Sequence, residues 1–224
     1  MLLELAVFHP DSLAIARRCG VHRIELCEDY QAGGISPSSG FFGQARKEFP
    51  GPIHVMVRPR PGNFQYSAEE SDWMEQAIRQ FSNAGADGFV LGCLETSGRI
   101  NIRQLENLVN AAGGKPITFH RAFDETADED EAVQTLISYG CTRILTSGRA
   151  DSAVAGKIRL ENNIRSYGNR ICILAGGGIR SNNIEELMNI SGLKECHTAA
   201  LASTHPAIAD GTELMRMMEI LERD

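Results

Sequence analysis

Eight short β-branched or apolar runs recur along the chain at a steady interval, and that spacing constrains the fold more than any single motif. They are LLELAV (2–7), HRIELC (22–27), IHVMVR (53–58), GFVLG (88–92), ITFH (117–120), RILTS (143–147), ICILAG (171–176) and ECHTA (195–199). Apolar residues at helical spacing fill the intervals, over Ser12–Cys19, Ala68–Ala84, Ile102–Ala111, Asp130–Tyr139, Ala153–Tyr167, Asn182–Ile190 and Thr212–Leu221. Strands that alternate with helices imply βαβ units and a parallel sheet. Asp11, Ser12, Ser67, Asn101 and Ser181 stand where N-caps belong, and Gly20, Gly85 and Gly140 where helices stop. The segment 28–43 (EDYQAGGISPSSGFFG) reads as an ordered loop or a short helix start.

Eight units in 224 residues lie slightly below the roughly 250 residues of a (β/α)₈ barrel. With no linker-like stretch, residues 1–224 read as one TIM-barrel domain. An open doubly wound sheet competes, but it normally carries a Gly-rich first turn; here that turn is AVFHPDS, without glycine. The net charge of −7 and a pI near 5.4 offer no global positive field for nucleic acid or an anionic membrane. Glu4 interrupts the opening apolar run, where a signal peptide would have none, so a cytoplasmic location is the default expectation. Six singly scattered cysteines without a CxxC pair read as free thiols.

Alternation along a strand sends one parity under the helices and the other to the barrel axis. Polar residues mark the second set: Glu4 with Ala6, Arg23 with Glu25 and Cys27, His54 with Met56 and Arg58, Thr118 with His120, Ile144 with Thr146, and Glu195 with His197. Val55 and Val57 then face the helices. An interior built for stability alone is mostly Val, Ile and Leu, and an unpaired buried carboxylate costs several kcal/mol, so these groups must be paired or hydrated. Glu4 and His54, deep in the barrel, read as structural, whether or not Glu4 or Glu25 pairs with Arg58. Arg58, His120 and Arg121 stand at strand C-termini, where barrel enzymes keep their chemistry.

Two glycine turns belong to the same end. AGGGIR (175–180), with Gly176, Gly177 and Gly178, follows the seventh strand, where many barrels bind phosphate; TSGR (146–149), with Ser147 and Gly148, follows the sixth. Glycines also serve tight turns for their own sake. RPRPGNF (58–64) adds Arg58 and Arg60, whose planar forks suit carboxylate or phosphate. The expected site is therefore a mouth for a small carboxylated or phosphorylated metabolite. Arg58, Arg60, Ser147, Gly148, Gly176, Gly177 and Gly178 would hold the anion, with Glu25, His120, Arg121 and Asp124 as catalytic candidates.

The runs RIELC (23–27), GGISPSSG (33–40), HVMVRPR (54–60), FQY (64–66), GADGFVLG (85–92), GRI (98–100), TFHRAFD (118–124), RILTSG (143–148) and AGGGIR (175–180) closely resemble the CutC family of copper homeostasis proteins, over nearly the whole chain. The resemblance implies a (β/α)₈ barrel, a cytoplasmic protein, self-association as a homodimer or homotetramer, and Cu(I) as a ligand, with no organic cofactor. Cu(I) favours thiolate and thioether donors, so Cys27 and Met56, with Cys93 just beyond the fourth strand, are the metal candidates. A barrel enzyme or sensor for a small anion remains the other reading.

Overall fold

The computed structural model describes residues 1–223. Eight parallel strands close in sequence order: β1 (Leu2–Val7), β2 (Arg23–Leu26), β3 (Ile53–Met56), β4 (Gly88–Leu91), β5 (Ile117–Phe119), β6 (Arg143–Thr146), β7 (Cys172–Gly176) and β8 (Glu195–Thr198), which pairs back onto β1. Seven helices lie between them: α1 (Asp11–Arg18), α2 (Ser39–Glu48), α3 (Ala68–Asn83), α4 (Ile102–Ala112), α5 (Glu129–Ser138), α6 (Lys157–Tyr167) and α7 (Ile184–Met188). A two-stranded ribbon, β9 (Leu201–Ala202) with β10 (His205–Ala209), precedes the last helix, α8 (Gly211–Leu221). A 3₁₀ turn, Arg121–Glu125, follows β5. No helix among the described residues is long and apolar enough to cross a membrane.

The register explains why this sequence closes. Leu3, Leu5, Ile24, Leu26, Val55, Val57, Phe89, Phe119, Ile173 and Ala175 form one continuous apolar layer under the helices. Burying a Leu, Ile or Phe side chain is worth about 1.5–3 kcal/mol. The opposite parity fills the axis, in registers such as Ala6↔Glu25, Glu25↔His54 and Met56↔Val90. Gly88 makes room there, since a Cβ at that position would stand 2.7 Å from the His54 ring.

Several local expectations differ from the structure. On β6 it is Ile144 that joins the layer under the helices, while Leu145 lines the interior cavity; Thr146 is outward too, its hydroxyl held by Asp124 and by the Gly148 amide. A polar side chain near a strand end had found its partners locally. The segment 28–43 runs into a full helix, α2, capped by Ser38, whose hydroxyl accepts from Phe41 N. Asn101 caps α4, and Ser67 caps α3 in a reciprocal box with Glu70. Ser181 caps nothing; its backbone N–H and hydroxyl donate to Glu213, and α7 starts only after Asn183. Ser12 lies inside α1, where its hydroxyl accepts from Ala209 N and ties the ribbon to the barrel.

Candidate functional site

The interior splits into a charged floor and a cavity above it. On the floor, Arg23 donates to Glu4 and to Glu195, each at 2.5 Å, and Arg143 reaches Glu195 at 2.9 Å. Glu4 pairs through its other oxygen with His197 Nδ1 at 2.8 Å. Burial would raise the Glu4 pKa, but the His197 hydrogen bond and the charges of Arg23, His197 and His54 outweigh it and hold the carboxyl well below its usual range. His54 is pushed down to about 4, chiefly by burial. These alternating charges solve the burial problem, and they do so with Arg23 and Arg143 rather than Arg58.

Above the floor is a cavity of about 320 Å³ lined by Glu25, Met56, Arg58, His120, Arg121, Gly177, Gly178 and His197, with Phe8, Tyr30, Phe64, Leu145 and Thr198 among its other walls. Glu25 is buried; its Oε1 accepts from the Cys27 thiol at 3.1 Å, and its Oε2, without a hydrogen-bond partner, stands 3.5 Å from His197 Nδ1. Burial raises the Glu25 pKa, opposed by the charge of His197 and reinforced by that of Glu4. For His197 burial acts downward, but the charge of Glu25 and the bond to Glu4 give a net rise. His120 faces the cavity from the end of β5. The Ala122 N–H donates to its Nδ1 at 3.1 Å, which places the ring proton on Nε2, a buried atom with no partner. Burial, with the charge of Arg58 added, pushes the pKa of this imidazole down to about 3, so the ring is neutral. Gly92 permits its position, since a Cβ there would fall 2.5 Å from the ring.

Arg58 binds backbone rather than a carboxylate. Its Nη1 donates to the carbonyls of Ala32, Gly33 and Gly34 at 3.0, 3.3 and 3.0 Å, and its Nη2 to Gly62 at 2.9 Å. Nε has no partner, the Phe64 ring lies 5.0 Å away, and among the described residues no carboxylate forms an ion pair with it. Arg58 therefore pins two loops while leaving its positive charge uncancelled beside His120.

Other candidates lie away from this cavity. Arg60 braces the start of α3, with Nε on Glu70 at 2.6 Å. Asp124 fills the turn after β6: it accepts from Thr146 Oγ1, from the Ser147 and Arg149 amides at 3.3 Å each, and from Arg121 Nε at 2.9 Å. With φ of +70° at Gly148 and +57° at Arg149, that turn is an anion nest, and the chain's own carboxylate occupies it. Ser147 and Gly148 are thus engaged internally, while Gly176 is packed under Leu145 and His197. Cys93 belongs to the layer under the helices, whereas Cys27 and Met56 share a separate apolar cluster with Val90 and Phe8. The three sulfur candidates do not come together.

Glu4, Glu25 and His197 form a group whose ligand atoms lie within 4.8 Å of one another. A cation there would face Arg23, which already neutralises Glu4. Sequence parity put His197 inside but gave it no role. Tyr30 and Phe64 were not anticipated either, although an aromatic residue shortly after the arginines of RPRPGNF is a usable cation–π signal.

The CutC family model matches residues 1–202. A family protein CutC of Mesorhizobium japonicum is 42% identical over 200 residues, 89% of this chain and 78% of that one. One from Vibrio parahaemolyticus is 40% identical over 207 residues, 92% and 83% of the two chains. A solved structure named as the copper homeostasis protein CutC of Streptococcus agalactiae superposes with a TM-score of 0.84 at 30% identity, over 89% of this chain and 98% of that one. A structure named KGPDC from Streptococcus mutans reaches 0.68 at 14% identity, over 99% and 97% of the two chains, a likeness of fold alone.

Proposed function

Because this chain belongs to the CutC family, we propose that it serves copper homeostasis, the role in the name of its solved relative, and that Cys27 Sγ and Met56 Sδ take one Cu(I) as cargo. The supporting observation is the thiol of Cys27, which shares an apolar cluster with Met56 and donates to a buried carboxylate at 3.1 Å. Burial and the charge of Glu25 hold that thiol well above its ordinary pKa, so it is protonated before loading. Cu(I) must displace the proton, and Glu25 is placed to accept it. Soft donors in a water-poor cluster suit this ion. Competition against bicinchoninate checks the site: Cys27→Ser is expected to weaken Cu(I) binding at least a hundredfold with the melting temperature nearly unchanged, while Cys172→Ser and Cys196→Ser bind as the parent does. Parental affinity in Cys27→Ser removes the site. The family reading also carries a cytoplasmic location and a homodimer or homotetramer, to be checked by fractionation and sedimentation.

A second reading, favoured by the uncancelled charge of Arg58 and the unpartnered Nε2 of His120, makes the cavity a seat for a small anionic metabolite. Calorimetry with small carboxylates and phosphates tests it. Arg58→Met is expected to bind the best of them at least tenfold more weakly, about 1.4 kcal/mol. Equal binding leaves Arg58 as a loop pin alone.

A further inference from the structure

Two residues of the cavity wall each carry a buried polar atom without a hydrogen-bond partner, one an acceptor and one a donor. Glu25 belongs to β2 and His120 follows β5, three strands on in a closed ring of eight. On Glu25 the Cys27 thiol holds Oε1, and Oε2, 3.5 Å from His197 Nδ1, has no hydrogen-bond partner. On His120 the Ala122 N–H holds Nδ1, and only the protonated Nε2 is left open. Both side chains are therefore fixed at one end and unsatisfied at the other, at a cost that a bound ligand would offset. Arg58 adds positive charge beside His120 without donating that charge to a carboxylate.

We propose that this cavity catalyses proton transfer at carbon: Glu25 removes a proton alpha to the carbonyl of a small 2-oxo acid or hydroxyketone, and His120 donates to the oxygen of the resulting enolate.

This inference rests on the small-anion reading of the cavity and gives it a reaction class. In the step, the C–H bond breaks and its proton goes to Glu25 Oε2. The electron pair forms the C=C bond, and negative charge passes to the former carbonyl oxygen, which His120 Nε2–H meets. Once the proton on Glu25 has been swapped with solvent, its return to the same carbon gives exchange; with a hydroxyketone, passage of the hydroxyl proton to the enolate oxygen and return of the carbon-bound proton to the former carbonyl carbon gives the isomeric hydroxyaldehyde. No oxidant, reductant or second substrate is required. A neutral imidazole suits the donor role, since it stabilises a developing oxyanion without surrendering its proton outright. The lining contains no lysine, so a carbanion formed here is not held as an imine and depends on this hydrogen bond. The Arg58 charge and the Gly177–Gly178 backbone, both in the cavity wall, suit the carboxylate or phosphate end of such a compound.

Proton NMR in D₂O with pyruvate, 2-oxoglutarate, dihydroxyacetone and dihydroxyacetone phosphate tests the assignment. The parent protein is expected to wash out the alpha protons of at least one of them above the buffer rate. Glu25→Gln and His120→Asn should each slow the washout at least a hundredfold while calorimetry still detects the compound bound. Asn keeps an acceptor for the Ala122 N–H and is too short to place a donor where Nε2 stood, though it also gives up the ring that packs on Phe64, so circular dichroism must show that the His120→Asn protein is folded. Binding without exchange in the parent overturns the reaction and leaves the anion reading standing. Absence of binding and exchange together overturns both. Washout at the parental rate in either folded variant also overturns the assignment.

Discussion

Replacing Arg23 with methionine is expected to lower the melting temperature by roughly 6–20 °C, because removing one member of a buried charge set costs about 3–5 kcal/mol and each kcal/mol is worth about 2–4 °C in a chain of this size. Arg23 is buried and bridges Glu4 and Glu195, and its loss leaves Glu4 with only the two imidazoles. Methionine fills much of the volume, so the effect is chiefly electrostatic. Arg79→Met is the internal control: its ion pair with Glu75, at 3.5 Å on the exposed side of α3, is worth about 0–1 kcal/mol. Melting curves in which the two variants fall equally would show that the floor is not held by its charges.

Acidification supplies the second large effect. The unfolded chain takes protons on histidine near pH 6.5, but the folded chain refuses them until about pH 4 at His54 and about pH 3 at His120. Both folded values are depressed, so their contribution is complete above about pH 6.5 and is lost as pH falls toward the folded values. At roughly 1.4 kcal/mol per unit of separation, the two together remove several kcal/mol by pH 3. Glu4, whose carboxyl is also depressed, adds to the loss once the unfolded carboxyl begins to take up protons, from about pH 4.5 downward. His197 runs the other way: its folded pKa is raised, so its contribution is present at low pH and fades as pH rises through that value. Denaturant titrations from pH 7 to 3 should show a steep fall in the parent and a shallower one in His120→Asn. An unchanged slope would mean that the proton uptake lies elsewhere.

The barrel was legible because its signal is periodic and repeated. Alternation along the strands lets the few polar residues on one parity, such as Glu25 and His54, mark the axis. On β6 Thr146, the last residue of the strand, misled because its hydroxyl is satisfied by Asp124 and a turn amide rather than by the interior. The same limit explains the site. Glu25 was readable as an interior residue from its parity on β2, and His120 and Arg121 from their place after β5; all three line the cavity. The tasks of Arg58 and Asp124 were not, because Arg58 binds carbonyls from Ala32 to Gly62 and Asp124 binds amides at Ser147 and Arg149. Backbone groups are the same in every residue, so no side-chain pattern announces them. Helix α2 was obscured by Gly40 and Gly43 within its first two turns, which weaken helical preference without preventing a well-capped helix.

The turn after β6 carries its ligand on a leash. Asp124 lies 22–25 residues before the groups that it binds, with α5 and β6 between them, so the folded barrel holds it against the nest and its binding there is intramolecular. A free phosphate at ordinary cellular levels competes with a resident that never diffuses away. On the small-anion reading proposed above, the barrel end has two anion seats of different kinds, one permanently taken by the protein itself and one, beside Arg58 and His120, open to visitors. Selectivity at such a mouth comes partly from subtraction: with the β6 seat taken, a compound bearing two anionic ends has a single place to anchor, and its remaining atoms are left facing Glu25.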